Sequence, residues 1–176
     1  MIEHEENTAQ PAPFDPRWLY PDFRQRLQSI ESQMESEGFP VRVVEGFRSF
    51  LRSELLYNQG RTIPGKIVTQ AKPGQSFHNY GMAVDYCFHG PDPYSDHHPW
   101  ALLGKVALAS GCRWGGTFSH PDRPHVEADY LVPLSEIHSL YADGSGVVAV
   151  WAKLDVIRSV PVGTDWDGDV FHYRLS

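Results

Sequence analysis

Ser76-Phe77-His78-Asn79-Tyr80-Gly81-Met82-Ala83-Val84-Asp85 is the stretch on which the reading of this chain turns. From Met82 to Phe88 the residues alternate, Met82, Val84 and Tyr86 on one face and Ala83, Asp85 and Cys87 on the other. That is the period of a strand, and it turns Asp85 away from the apolar Val84. Gly81 allows a turn between the histidine and the strand, so a loop histidine and a strand carboxylate can converge on one point. Such a pair is two-thirds of a catalytic zinc site, which takes about three protein ligands and keeps a fourth position for water.

A third ligand should come from a neighbouring strand. Asp122-Arg123-Pro124-His125 offers a histidine at the start of a short extended segment, Pro124 to Ala128, in which His125 and Glu127 share a face. A carboxylate three residues before a metal ligand suits a general base, which needs hydrogen-bond reach without occupying the ion. Arg48 stands where a strand runs into a helix, a position set by rigid elements, and its planar guanidinium can hold an oxyanion in a defined direction. Ser76 could either hydrogen-bond a ligand or orient the His78 loop. On spacing alone a plainer reading stands beside each of these. His78 and Asp85 can be ordinary surface or core residues, Arg48 a solvated helix start, Asp122 a turn residue and Glu127 a solvent-facing strand residue.

Outward from these positions, Phe23, Leu27, Ile30 and Met34 recur at three and four, which predicts a helix from about Asp22 that stops at Gly38-Phe39-Pro40. Val41 to Glu45 predicts a β-branched strand running into Gly46-Phe47-Arg48-Ser49. With Ser49 as N-cap, Leu51, Leu55 and Leu56 mark a second helix that ends near Gly60. Residues 61–75 are punctuated by Gly and Pro and predict a long loop, with a short extended piece at Ile67 to Thr69. Trp100 to Ala109 has helical composition and ends at Gly111. Two further helices, Leu134 to Tyr141 and Val147 to Ile157, are separated by Asp143-Gly144-Ser145-Gly146.

The 176 residues fit one domain with one core. A net charge of -7 argues against a protein that grips nucleic acid through phosphate contacts. No apolar run is long enough to span a membrane, and the acidic, polar start differs from a secretory signal, so synthesis in the cytoplasm is expected. Cys87 and Cys112, without a Cys-x-x-Cys spacing, are expected as buried free thiols.

Ser76-x-His78-x-x-Gly81-x-Ala83-x-Asp85, followed by Asp122-x-x-His125, resembles the signature of the M15 metallopeptidases. That family includes D-alanyl-D-alanine carboxypeptidases and dipeptidases and phage L-alanyl-D-glutamate endopeptidases. Gly46-Phe47-Arg48-Ser49, Leu56-Tyr57-Asn58-Gln59-Gly60-Arg61-Thr62, Val68-Thr69-Gln70-Ala71 and Trp114-Gly115-Gly116 resemble the L-alanyl-D-glutamate branch in particular. The resemblance covers about Phe23 to Ile157. It implies an α+β fold of the hedgehog and D-Ala-D-Ala peptidase type, a small antiparallel sheet flanked by helices. It also implies Zn2+ held by His78, Asp85 and His125, with Asp122 as base and Arg48 as oxyanion donor.

The activity so implied is hydrolysis of the peptidoglycan stem peptide between L-Ala and D-Glu by an endolysin-type bacteriolytic enzyme, a monomer that reaches the wall after holin-type release. The alternatives are a D-alanyl-D-alanine carboxypeptidase and an inactive zinc-stabilised cell-wall-binding domain. The expected organisation is a flexible arm over 1–20, loosest up to about Phe14, a zinc peptidase domain over 21–157, and an extension over 158–176 packed on the same domain. The histidines outside the pattern, His89, His97, His98 and His120, are expected at the surface or rim, with His120 near enough to Asp122 to touch substrate. Tyr80 and Trp114 are expected in the core.

Overall fold

A computed structural model describes residues 14–159 except 131, 143 and 145. The helices are α1 (Pro21–Ser36), α2 (Phe50–Asn58), α3 (Trp100–Ala109), α4 (Leu134–Tyr141) and α5 (Gly146–Ser159), and the strands are β1 (Val41–Glu45), β2 (Ala83–Phe88), β3 (Cys112–Trp114) and β4 (His125–Ala128). The four strands form one antiparallel sheet in the order β1-β2-β4-β3. This is the expected α+β architecture.

α1 begins at Pro21, whose fixed φ and missing N–H suit a first helical turn. Its stripe of Phe23, Leu27, Ile30 and Met34 is 3% exposed or less. Each such side chain contributes roughly 1.5–3 kcal/mol when removed from water. Ser49 caps α2 by accepting a hydrogen bond from the Arg52 N–H at 3.2 Å. The face α2 turns inward differs from the expected leucine stripe. Leu51 is 40% exposed, Leu55 and Leu56 are half-buried, and the fully buried residue is Ser53, which accepts a bond from Asn79.

β2 is an interior strand covered on both sides. Ala83, Val84, Tyr86, Cys87 and Phe88 are all buried, and Asp85 alone is partly open. Cys87 and Cys112 are buried free thiols, as expected. β3 has no counterpart in the sequence reading, because three residues are too few to display a period. Residues 67–69 form no strand and belong to an irregular loop.

The boundaries of the expected arm and extension both move. Pro16–Trp18 form a 3-10 turn, and Leu19 and Tyr20 are 1% and 0% exposed, so residues 14–20 are part of the packed body rather than a flexible arm. They cross Gly81, where a Cβ would stand 2.2 Å from the Trp18 carbonyl oxygen, and the Tyr20 N–H donates to the Gly81 carbonyl at 2.9 Å. At the other end α5 runs through Ser159, so a division at residue 158 would cut a helix. Arg158 reaches back to α1, 2.8 Å from the Asp22 carboxylate, and donates to the Tyr20 hydroxyl at 3.0 Å. The rest of the arm, 1–13, and of the extension, 160–176, lie outside the described residues.

Candidate metal centre

The register of the sheet puts Asp85 of β2 directly opposite His125 of β4. His78 arrives from the 3-10 turn Phe77–Tyr80, which Ser76 caps by accepting a long 3.4 Å bond from the His78 N–H. Of the two readings of Ser76, orientation of the loop is the one the contact supports. Gly81, at φ 66°, closes that turn and releases the chain into β2.

Three donor atoms then meet. His78 Nε2 lies 3.3 Å from His125 Nδ1 and 3.4 Å from Asp85 Oδ1, and the third side of the triangle, His125 Nδ1 to Asp85 Oδ1, is 3.2 Å. A tetrahedral ion with ligands at roughly 2.0–2.1 Å needs donors separated by about 3.3–3.4 Å. The donor set therefore has both the chemistry and the spacing for zinc. Among the described residues, this is the cluster of histidines and carboxylates close enough to hold an ion.

Each imidazole is committed to one tautomer by what lies behind it. His78 Nδ1 donates to the Gly46 carbonyl at 2.7 Å, which leaves Nε2 as a lone pair. His125 Nε2 meets the Glu127 carboxylate at 2.9 Å, which makes Nδ1 the nitrogen that ligates once an ion displaces its proton. A hydrogen-bonded partner behind a ligating histidine fixes the ring and raises its basicity. Glu127 is 6% exposed, so the solvent-facing reading of this residue fails. Its other oxygen lies 3.1 Å from Arg113. Two steps apart on one strand, His125 and Glu127 share a face, and that spacing was the signal for the pairing.

Charge is unevenly distributed around the triangle. Burial disfavours the charged form of Asp85, but His78 and His125 beside it hold its carboxyl well below the usual range. Burial also opposes protonation of His125, yet hydrogen bonds to Asp85 and Glu127 prevail and raise its pKa to about 9. Asp122 is exposed on the outer side of the cleft, while the surrounding protein and then the Asp85 carboxylate push its carboxyl upward. Its loop is drawn close to β4 at Gly115, where a Cβ would lie 2.4 Å from the Asp122 carbonyl oxygen and 2.9 Å from the His125 Cβ.

Arg48 is not the solvated helix-start residue of the plainer reading, being only 9% exposed. Its Nε and Nη2 each lie 2.9 Å from the Glu45 carboxylate, and Nη2 is 3.6 Å from Asp85 Oδ2. Nη1 meets no acceptor among the described residues. Glu45 also takes Arg52 at 2.8 Å. Burial works against its charge, but Arg48, with His78 and Arg52, outweighs that and lowers its pKa. Glu45 is a further site residue that sequence reading took only as the end of a strand.

Asn79 ties these pieces together. It donates to the Arg48 carbonyl and to Ser53 Oγ, both at 2.8 Å, and accepts from the Gly74 N–H at 3.1 Å. Arg48, His78, Asp85, Asp122 and His125 all line one cleft of about 490 Å³, walled on one side by Val68, Thr69 and Ala71. His89 and His97 are exposed, and His98 stacks on Phe88 away from the triangle. His120 lines an adjoining cleft rather than this one. Tyr80 is fully buried, and Trp114 packs partly buried against the core with its indole N–H on the Arg123 carbonyl at 2.8 Å.

A sheet end that gathers two histidines and a carboxylate beside an independent acid and an arginine defines a metal-site protein of the hydrolase class. Comparison with known proteins narrows this. A family model described as D-alanyl-D-alanine carboxypeptidase matches residues 69–128, and another of the same description matches residues 16–96. The peptidoglycan L-alanyl-D-glutamate endopeptidase CwlK of Bacillus subtilis is 35% identical over 136 residues, which is 70% of this chain and 81% of that protein. The chain belongs to the M15 family of metallopeptidases.

Solved structures agree on the fold. The L-Ala D-Glu endopeptidase ChiX of Serratia marcescens superposes with a TM-score of 0.51 at 21% identity, over 66% of this chain and 84% of that one. A mutant of the vancomycin resistance D,D-pentapeptidase VanY, solved in complex with Zn(II), gives 0.50 at 14% identity, over 75% and 83%.

Proposed function

We propose that this protein is a zinc-dependent peptidoglycan peptidase that hydrolyses the stem peptide between L-alanine and D-glutamate. The observation that carries the reading is the 3.2–3.4 Å triangle of His78 Nε2, Asp85 Oδ1 and His125 Nδ1, with the other nitrogen of each imidazole held from behind by an acceptor. The named activity of the 35% identical relative supplies the bond.

Zinc held there would polarise the scissile carbonyl and acidify the attacking water. The chain's own residues supply the rest. Asp122, raised in pKa and lining the same cleft, takes the proton from the water and returns it to the leaving amine. Arg48, clamped by Glu45 through Nε and Nη2 and lining the cleft, stabilises the developing oxyanion as a cation fixed before the reaction starts. Glu127 and the Gly46 carbonyl hold the two imidazoles in place. An endolysin-type, bacteriolytic use of this activity, by a monomer, is the finer form of the same proposal.

Digestion of purified peptidoglycan and identification of the new termini tests the bond. New D-glutamate amino groups support the reading. Release of D-alanine alone would replace it with the carboxypeptidase alternative, which both family-model descriptions favour. Asp122→Ala should lower kcat by roughly 10²–10⁴ with zinc still bound. Unchanged lysis in that variant would remove Asp122 from the base role.

A further inference from the structure

A second cleft of about 520 Å³ adjoins the metal cleft, and the two share Arg113 and Phe118 as a common wall. Their charges differ. The metal cleft is lined by four carboxylates, Glu45, Asp85, Asp122 and Glu127. No carboxylate lines the second, where Arg113 and His120 are the basic residues.

Arg113 is unusual among the cations of the site. Its side chain is 49% exposed, its guanidinium lies 5.3 Å from the Phe118 ring centre, and one nitrogen, Nη1, sits 3.1 Å from Glu127. Its remaining nitrogens meet no acceptor among the described residues. Arg48, by contrast, is nearly buried between Glu45 and Asp85. A planar fork with an unspent edge, stacked and braced at the mouth of an acid-free pocket, is built to receive a carboxylate.

Direction follows from the loop between β3 and β4. Asp122, at its end, lines the metal cleft, while Thr117, Ser119 and His120 of the same loop line the second. If Asp122 protonates the leaving amine, the residue that carries the amine lies on this side of the site. In the bond proposed above that residue is a glutamate. Whichever of its carboxyls is in the chain, the other is free and anionic.

We propose that Arg113 determines specificity by binding the free carboxylate of the residue on the leaving-amine side, with the second cleft holding that part of the substrate. This rests on the endopeptidase reading and deepens it. The bond to Glu127 gives Arg113 a structural tie to His125 as well, so the test must separate recognition from metal-site integrity.

The zinc-loaded full-length protein is assayed on acetyl-L-alanyl-D-glutamyl-L-lysine amide and on the same peptide with the glutamate's free carboxyl converted to a primary amide. The first has a single free carboxylate and the second has none. Loss of one charge-assisted contact corresponds to roughly 10–100-fold, so the wild type should favour the acid by that factor, mainly in KM. Arg113→Gln should bring the ratio of the two peptides close to one, and Arg113→Lys should keep part of it. A loss of metal-site order would slow both peptides together and leave their ratio intact. Equal rates on both peptides in the wild type, or an undiminished ratio in Arg113→Gln, would overturn the proposal alone. If neither peptide is cut between alanine and glutamate, the endopeptidase reading falls and the proposal falls with it.

Discussion

Glu127 illustrates how one side chain sets the chemistry of another. Its carboxylate holds His125 by Nε2, so that Nδ1 is the nitrogen left to ligate once its proton is displaced, and Arg113 braces the carboxylate from the other side. Removing such a partner typically costs 10–100-fold in metal affinity, so Glu127→Ala should lose about that much zinc affinity in a chelator competition. The proton inventory gives a second expectation. In metal-free protein the pKa of His125 is about 9, above its ordinary 6.5. A raised pKa contributes stability that is complete below 6.5 and is lost as pH rises through 9. Urea midpoints of chelator-treated protein should therefore fall between pH 6.5 and 9.5, whereas apparent zinc affinity should rise over the same range as the competing proton leaves. Calorimetric and competition titrations at several pH values check both slopes. Chemical type and spacing could only suggest His78, Asp85, Asp122 and His125, and the resemblance to the M15 signature singled them out. Glu45 was hidden in a strand, where a carboxylate reads as solvent-facing until its partner's position is known, whereas Glu127 shared a face with His125 two positions away and was passed over despite that signal.

At the scale of elements, the turn from His78 into β2 is the joint on which the centre depends. Gly81 has both a left-handed φ and the Trp18 carbonyl oxygen where a Cβ would go. A left-handed residue with a side chain costs roughly 1–2 kcal/mol before any clash. Gly81→Ala should exceed that cost and shift the urea midpoint down, with activity lost in step as Trp18 to Tyr20 are displaced. Helices were legible where a stripe was long, as in α1, and strands where β-branched residues or alternation ran for five or six positions, as in β1 and β2. What sequence did not carry was the inward face of α2. There a serine is buried because Asn79 needs its hydroxyl, and a leucine is left outside. The three-residue β3 and the packing of residues 14–20 were likewise decided by distant partners rather than by local pattern.

For the molecule as a whole, the core and the metal cleft are largely separate. The buried cluster runs from Leu19 through α1, β2, α3 and α5 without needing the triangle of ligands. Chelation with dipicolinate should therefore abolish hydrolysis while far-UV circular dichroism stays unchanged, and added zinc should restore activity. Collapse of the spectrum on chelation would instead make the ion a structural one.

Asn79, finally, gathers the Gly74 N–H, the Arg48 carbonyl and Ser53 at one buried point. The segment between α2 and Gly74 borders the cleft through Val68, Thr69 and Ala71, yet it leaves the body at one anchored end and re-enters at another. Residues 61–73 thus form one wall of the cleft, tied to the end of α2 by the bond from Gln59 to the Lys66 carbonyl at 3.1 Å. Grafting that segment from relatives could retune which wall chemistries are accepted, while the knot beneath insulates the hydrolytic apparatus from the change.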